Sequence, residues 1–324
     1  MKRGSFPHWL KPSACRGCGR GGWLALLTMG LALAVAGLGQ TPTARVLVVN
    51  SDSAVEKYFR PQEAFREAFG SPVQELNLAG LSEVAGERAI RAAAPSAVYC
   101  IGAKAFVTAS RAVRDKPIVM SSVINWQRLS AAAGVRTHVI ANELPSEAEL
   151  TLFRYFFPGM KRIGVIYSSE FNRQWVAGAQ AAGRDAGVEV VAVSVRTSGS
   201  AQRELARLLP QVDALWLAAD PVVLANPAVI KALFERCHAA KKPVFAYSPN
   251  FLEFNPTLII SVDIPTLGRQ AASMIQMIEG QPAGARKEVQ TPAGTEVTLN
   301  LRAVKEYGLQ LNEEALDSVN HILR

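Results

Sequence analysis

Cysteine and histidine are scarce, with four of each in 324 residues. Cys15 and Cys18 form a C-x-x-C near the start, but no second pair follows, so neither a zinc site nor a redox centre is expected. Cys100 lies in an apolar run of strand type and Cys237 on the apolar face of a predicted helix, and both read as buried thiols rather than disulfide partners. Beyond the first forty residues the histidines are His138, His238 and His321, scattered and without metal-ligand spacing. No G-x-S-x-G, Walker loop or catalytic Cys–His signature occurs, and a G-x-G-x-x-G at Gly17, Gly19 and Gly22 has no strand before it. The sequence therefore carries no expectation of a cofactor, a metal or a reacting constellation, and an exported enzyme is the least favoured reading.

Acidic residues are missing altogether from residues 1–39, which hold Lys2, Arg3, Lys11, Arg16 and Arg20. An uncharged run, WLALLTMGLALAVAGL from Trp23 to Leu38, follows this basic head, and small residues come next. That order predicts a signal peptide over residues 1–39. The run is shorter than the roughly 20 residues a membrane-spanning helix needs. Cleavage between Gly37 and Thr43, and a periplasmic location, are expected. No Cys follows the run to carry a lipid. Without the leader, 30 basic residues face 27 acidic ones, a net +3 in place of +8, so the basic character belongs largely to the leader and nucleic acid is not an expected partner.

Apolar runs of strand length recur through the remainder: Arg45–Asn50, Val73–Leu78, Ala97–Gly102, Pro117–Val123, Arg162–Ser168, Val188–Val195, Ala214–Ala219, Pro243–Tyr247 and Leu258–Val262. Amphipathic stretches separate them, as parallel sheets covered on both faces require. Ser146 to Glu149 reads as a capping box opening a helix, and Asn226-Pro227 as a cap with a first-turn proline. Leu267, Ala271, Ile275 and Ile278 form one helical face that stops at Gly280. The fold class is α/β, with two doubly wound parallel-sheet lobes that divide near Ala141–Pro145, where THVIANELP reads as a crossing segment.

Several blocks carry a family likeness: LFRYFFPGMKRIGVIYSSEFN, QVDALWLAADPVV, AAKKPVFAYS, VDIPTLGRQAASMIQMIEGQPAG and VTLNLRAVKEYGLQL. From Glu143 onward, over about 180 residues, the chain resembles the periplasmic substrate-binding proteins of ABC transporters. The likeness is to the type I group that includes receptors assigned to tryptophan and tyrosine. Residues 44–142 match only in their rhythm of strand and helix. The resemblance implies a hinged, monomeric receptor that binds a small-molecule ligand, such as an amino acid, and delivers it to an ABC permease in the inner membrane. A receptor that signals to a membrane partner without transport is the alternative. It also implies that the segment from Asp263 returns to the first lobe, giving lobes of 44–141 with 263–282 and 142–262 with 283–324. ANELPSEAEL and FLEFNPT depart from the family pattern, so the fold transfers better than the ligand.

Ligands in such sheets lie at the carboxyl ends of the strands. Those ends offer Ser51, Ser53, Gly102, Ala103, Ser121 and Ser122 in the first half, and Ser169, Asn172, Asp220, Tyr247 and Asn250 in the second. Hydroxyls and helix N-termini suit a carboxylate. Asp220 suits an ammonium, while Trp175, Tyr247 or Trp126 could stack on an apolar side chain. The same serines, and Asp220 before Pro221, equally read as helix caps or turn residues.

Overall fold

The structure, a computed structural model, describes residues 46–129, 131, 134–279 and 288–324. The expected signal peptide and Gly280 lie outside them. The chain begins β1 (Val46–Asn50), α1 (Glu56–Phe69), β2 (Gln74–Asn77), α2 (Glu83–Ala93), β3 (Ala97–Ile101), α3 (Ala103–Ala112), β4 (Ile118–Ser121) and β5 (Thr137–Ile140). It continues with α4 (Ser146–Phe156), β6 (Arg162–Tyr167), α5 (Ser169–Ala186), β7 (Glu189–Ser194), α6 (Ser198–Leu208), β8 (Ala214–Trp216), α7 (Pro227–Ala239), β9 (Val244–Ala246) and β10 (Leu258–Val262). The last elements are α8 (Ile264–Glu279), β11 (Val289–Gln290), β12 (Thr295–Asn300), α9 (Leu301–Tyr307) and β13 (His321–Leu323).

Two sheets result. One has six strands in the order β11-β5-β4-β3-β1-β2, all paired in parallel. The other has seven in the order β13-β12-β10-β9-β8-β6-β7, parallel except where β12 runs against β10. The central strands β1, β3 and β10 are buried along their whole length, which is why their sequences are unbroken apolar runs. All nine expected strands form. The two parallel-sheet lobes expected from the sequence form; among the described residues the one antiparallel pairing is that of β12, whose TEVTLN alternates polar and apolar residues, with β10.

THVIANELP also divides differently from the expectation. Its first four residues are β5, a buried strand paired with β4 and β11, and the chain leaves the sheet only at Ala141. The helix at Ser146 opens where expected, but not through a capping box: Pro145 is the cap residue and no side chain caps the helix. The Asn226 cap forms, its side chain accepting a hydrogen bond from the Ala228 N–H ahead of Pro227.

After β10 of the seven-stranded sheet, α8 packs on α1 and beneath β3, β4 and β5 of the six-stranded one. Its buried face includes Leu267, Ala271, Ile275 and Ile278. β11 stays on the six-stranded sheet and β12 lies on the other, so the last passage between sheets falls between Gln290 and Thr295, not near 283.

The three passages lie together. The Ala141 N–H donates to Gln290 O at 2.9 Å, and the Asp263 N–H donates to Gly294 O at 3.0 Å. Gln270 of α8 clamps the last passage by donating to Thr291 O and accepting from the Ala293 N–H, both at 3.0 Å. Thr266 Oγ1 and Arg269 Nη2 both reach Asp263 Oδ2.

Gly268 sets how closely α8 approaches α1, because a β-carbon there would collide with Pro61 O and meet Phe65 N at 2.8 Å, both backbone atoms of α1. Backbone atoms cannot rotate aside, so Gly268→Ala must separate the helices. The expected loss is about 1–3 kcal/mol, read as a lower midpoint in chemical denaturation; a midpoint equal to wild type would show that the helices part without cost.

Candidate functional site

A cavity of about 500 Å³ lies where the passages meet the two sheets. Asn125 to Arg128, which follow β4, form one wall, and Ala141 to Glu149 run across its base. Phe171, Asn172, Gln174 and Trp175 from α5, Trp216 to Ala219 after β8, and Tyr247 after β9 form the opposite wall. That volume falls in the range that takes a small-molecule ligand.

The halves touch across it. Asn125 Nδ2 donates to Ala219 O at 3.1 Å, and the Arg128 guanidinium lies 4.0 Å from the Phe171 ring centre. The aromatic wall is rigid: Trp216 is 1% exposed and meets both Phe153 and Trp175 edge to face, with ring centres 5.2 and 4.7 Å apart.

Three carboxyl groups line this cavity, those of Glu143, Glu147 and Glu149. Glu143, at the first passage, accepts hydrogen bonds from the backbone N–H groups of Asn125 and Asn142, while burial raises its pKa. Glu149, in the first turn of α4, accepts one from Trp216 Nε1 at 3.3 Å. Burial pushes its pKa up to about 8, against a smaller opposing effect of the Trp216 bond, and Glu143 raises it further. Tyr247 is pushed up to about 12 by burial and by Glu143.

Of the residues singled out from sequence, Asn172, Trp175, Tyr247 and Trp126 line the cavity and the others do not. Ser51 is buried, and its Oγ accepts from the Ala105 N–H at the start of α3. Gly102 sits against it at φ +88, where a β-carbon would lie 2.6 Å from Ser51 Oγ. Ala103 simply opens α3. The Ser53 backbone N–H donates to Asn77 Oδ1. Ser121 is 1% exposed and bonds the Tyr99 hydroxyl at 2.7 Å, with Ser122 buried beside it. Ser169 starts α5, and Asn250 lies exposed in a short 3-10 helix.

Asp220 has a different task from the one its position suggested. It is fully buried, and its Oδ2 accepts from the Ser168 N–H at 2.6 Å and Asn172 Nδ2 at 2.7 Å. Its Oδ1 accepts from the Val222 and Val223 N–H groups at 2.9 and 3.0 Å. Four donors use both oxygens, so the carboxylate anchors the turn after β8 to the start of α5 and has no capacity left for an ammonium. The acids that line the cavity, Glu143, Glu147 and Glu149, stand in ANELPSEAEL, the segment whose departure from the family pattern was the one available signal.

Asp220→Ala should accordingly cost stability, at least about 3 kcal/mol because buried donors lose their acceptor, with urea unfolding as the measurement; a variant as stable as wild type would contradict this role. Glu149 generates a second expectation. Between about pH 4.5 and 8 the unfolded chain ionises this carboxyl while the folded protein keeps it protonated. Its contribution to stability is therefore present in full below pH 4.5 and is lost as pH rises to 8. Glu149→Gln should raise the thermal midpoint by several degrees at pH 8 and hardly at all near pH 4.5, whereas an equal gain at both would assign the effect to packing.

Comparison with known proteins agrees with this architecture. Solved structures similar in fold include the ABC domain in complex with L-Trp from Streptococcus pneumonia, at 16% identity and a TM-score of 0.58, covering 86% of this chain and 99% of that one. A conserved domain protein from Vibrio cholerae has the same identity, coverage and TM-score. The ligand-free, open structure of a substrate-binding protein with adhesive properties from Clostridium difficile is 17% identical with a TM-score of 0.68, over 87% of this chain and 99% of that one. No curated protein matches the sequence significantly. The family model described as ABC transporter substrate binding protein matches residues 81–322, so the chain belongs to that family.

Proposed function

We propose that this chain is an extracytoplasmic solute receptor that closes over a small ligand at the junction of its two sheets and presents it to an ABC permease. The cavity carries the reading. It is built from both halves, walled by Trp126, Phe171, Trp175, Trp216 and Tyr247, and bridged by the Asn125–Ala219 hydrogen bond and the Arg128–Phe171 contact. Family membership supplies the transport context, and the leader expected from residues 1–39 supplies export.

Contacts made by one ligand to both halves favour the closed arrangement over the open one. Flat aromatic walls favour a solute with a flat or apolar body, the class to which aromatic amino acids belong. L-Trp occupies one of the solved proteins of similar fold, which supports testing that class first.

Native mass spectrometry of the protein released from the periplasm tests the reading. The expected result is an adduct of one small solute, lost on mild unfolding and restored on refolding with the extract. A ligand at 100 times its dissociation constant adds about 2.7 kcal/mol of stability, so the same solute should raise the thermal midpoint. Protein that carries no solute and gains no stability from a periplasmic extract would overturn the proposal.

A further inference from the structure

Within the receptor reading, on which this inference rests, the polar groups of the cavity identify the charge of the solute. Glu149 is 6% exposed and lines the cavity. Its Oε1 accepts from Trp216 Nε1, and no hydrogen bond from a described residue reaches its Oε2. Asn142, at the first passage, also lines the cavity, and its Oδ1 is buried and without a hydrogen-bond partner among the described residues. Asn142 Oδ1 is an acceptor, and Glu149 Oε2 becomes one when the carboxyl ionises.

The donors of the lining carry little charge. Asn125 Nδ2, Asn172 Nδ2 and Trp216 Nε1 are already engaged by Ala219 O, Asp220 Oδ2 and Glu149 Oε1. Trp175 Nε1, the amide nitrogens of Gln127, Asn142 and Gln174, and the hydroxyls of Ser146, Tyr247 and Thr291 remain, all uncharged. The single basic side chain among the lining residues is Arg128, which is exposed and lies over Phe171. Three acids, Glu143, Glu147 and Glu149, stand against it. The start of α4 offers no compensating anion site, because Glu147 and Glu149 occupy its first turn and already face its positive end. Ser51, Ser121 and Asp220, which could have held a zwitterion, are hydrogen-bonded elsewhere.

We propose that the solute is an organic cation, a protonated amine on a flat apolar body without a carboxylate, whose N–H donors are received by Glu149 Oε2 and Asn142 Oδ1 next to Glu143. The titratable and charged groups facing Glu149 across the cavity are Glu143, Glu147, Tyr247 and Arg128. With the cleft empty, burial keeps the Glu149 carboxyl protonated; an ammonium beside it favours the ionised form and replaces that proton. The aromatic walls then face the body of the amine, and Trp175 and Tyr247 add a cation–π attraction to its charge.

Matched probes test the charge with the full protein. Calorimetric titration would compare four series, each of an amine, the corresponding amino acid and the corresponding acid: tryptamine, L-tryptophan and indole-3-propionate; tyramine, L-tyrosine and 4-hydroxyphenylpropionate; phenethylamine, L-phenylalanine and phenylpropionate; isoamylamine, L-leucine and 4-methylvalerate. In the series that binds best, the amine should bind at least tenfold more tightly than its two partners. Glu149→Gln, which keeps shape and the Trp216 bond, should weaken that amine at least tenfold while the thermal midpoint of the unliganded protein does not fall. If the amino acid or the acid binds as tightly as the amine, the cation proposal fails and the receptor reading stands. Binding of the amine unchanged in Glu149→Gln also overturns it. If no series binds, the solute co-purified in native mass spectrometry decides: a cation upholds the proposal, a zwitterion or anion overturns it alone, and no solute overturns the receptor reading with it.

Discussion

Three passages of backbone join the two sheets, and everything in the cleft depends on their being held side by side. Two backbone hydrogen bonds, from Ala141 to Gln290 and from Asp263 to Gly294, tie the first passage to β11 and the second to the third. Gln270 braces the third from α8. Gly294 belongs to the same seam: a β-carbon there would lie 2.9 Å from Thr266 Oγ1 and 3.0 Å from Asp263 Cβ.

The cavity inherits its chemistry from that seam. Glu143 stands on the first passage and Glu149 in the first turn of the helix that follows it, so the two acids lie where the sheets join. Asn125 and Arg128 belong to the wall that follows β4 and meet Ala219 and Phe171 across the gap. Burial of Glu149 is costly, and the Trp216 indole only partly offsets it. A carboxyl perturbed in this way and lining a cavity is a candidate functional group.

Serine and aspartate at strand ends illustrate the limit of positional reasoning. A strand end is where a ligand lies in such folds, but it is also where the next helix needs a cap. Ser51 caps α3, and Asp220 satisfies four donors at once. Nothing in the local sequence distinguishes a hydroxyl or carboxylate facing a cleft from one turned toward the nearest helix. Asn172, Trp175 and Tyr247 do line the cavity, because α5 and the segment after β9 present them from the sheet edge that faces the other half.

The chain's alternation of apolar runs with amphipathic stretches determined the α/β class and nine of the strands; seven of these lie inside the sheets, where a strand covered on both faces must be apolar throughout, while β2 and β7 are sheet edges. The VD…LGRQAA and LNLRAVKEYGL blocks determined the likeness to the substrate-binding family through their order and spacing. Four strands escaped this logic: β5, β11, β12 and β13 are short or alternating, and their pairing is set by neighbours distant in sequence. Tertiary structure alone decided which polar groups are spent on packing and which remain for a ligand. Hydrogen-bond satisfaction is a property of three-dimensional neighbours: Glu149 meets Trp216 across 67 positions, and Asp220 meets Ser168 across 52.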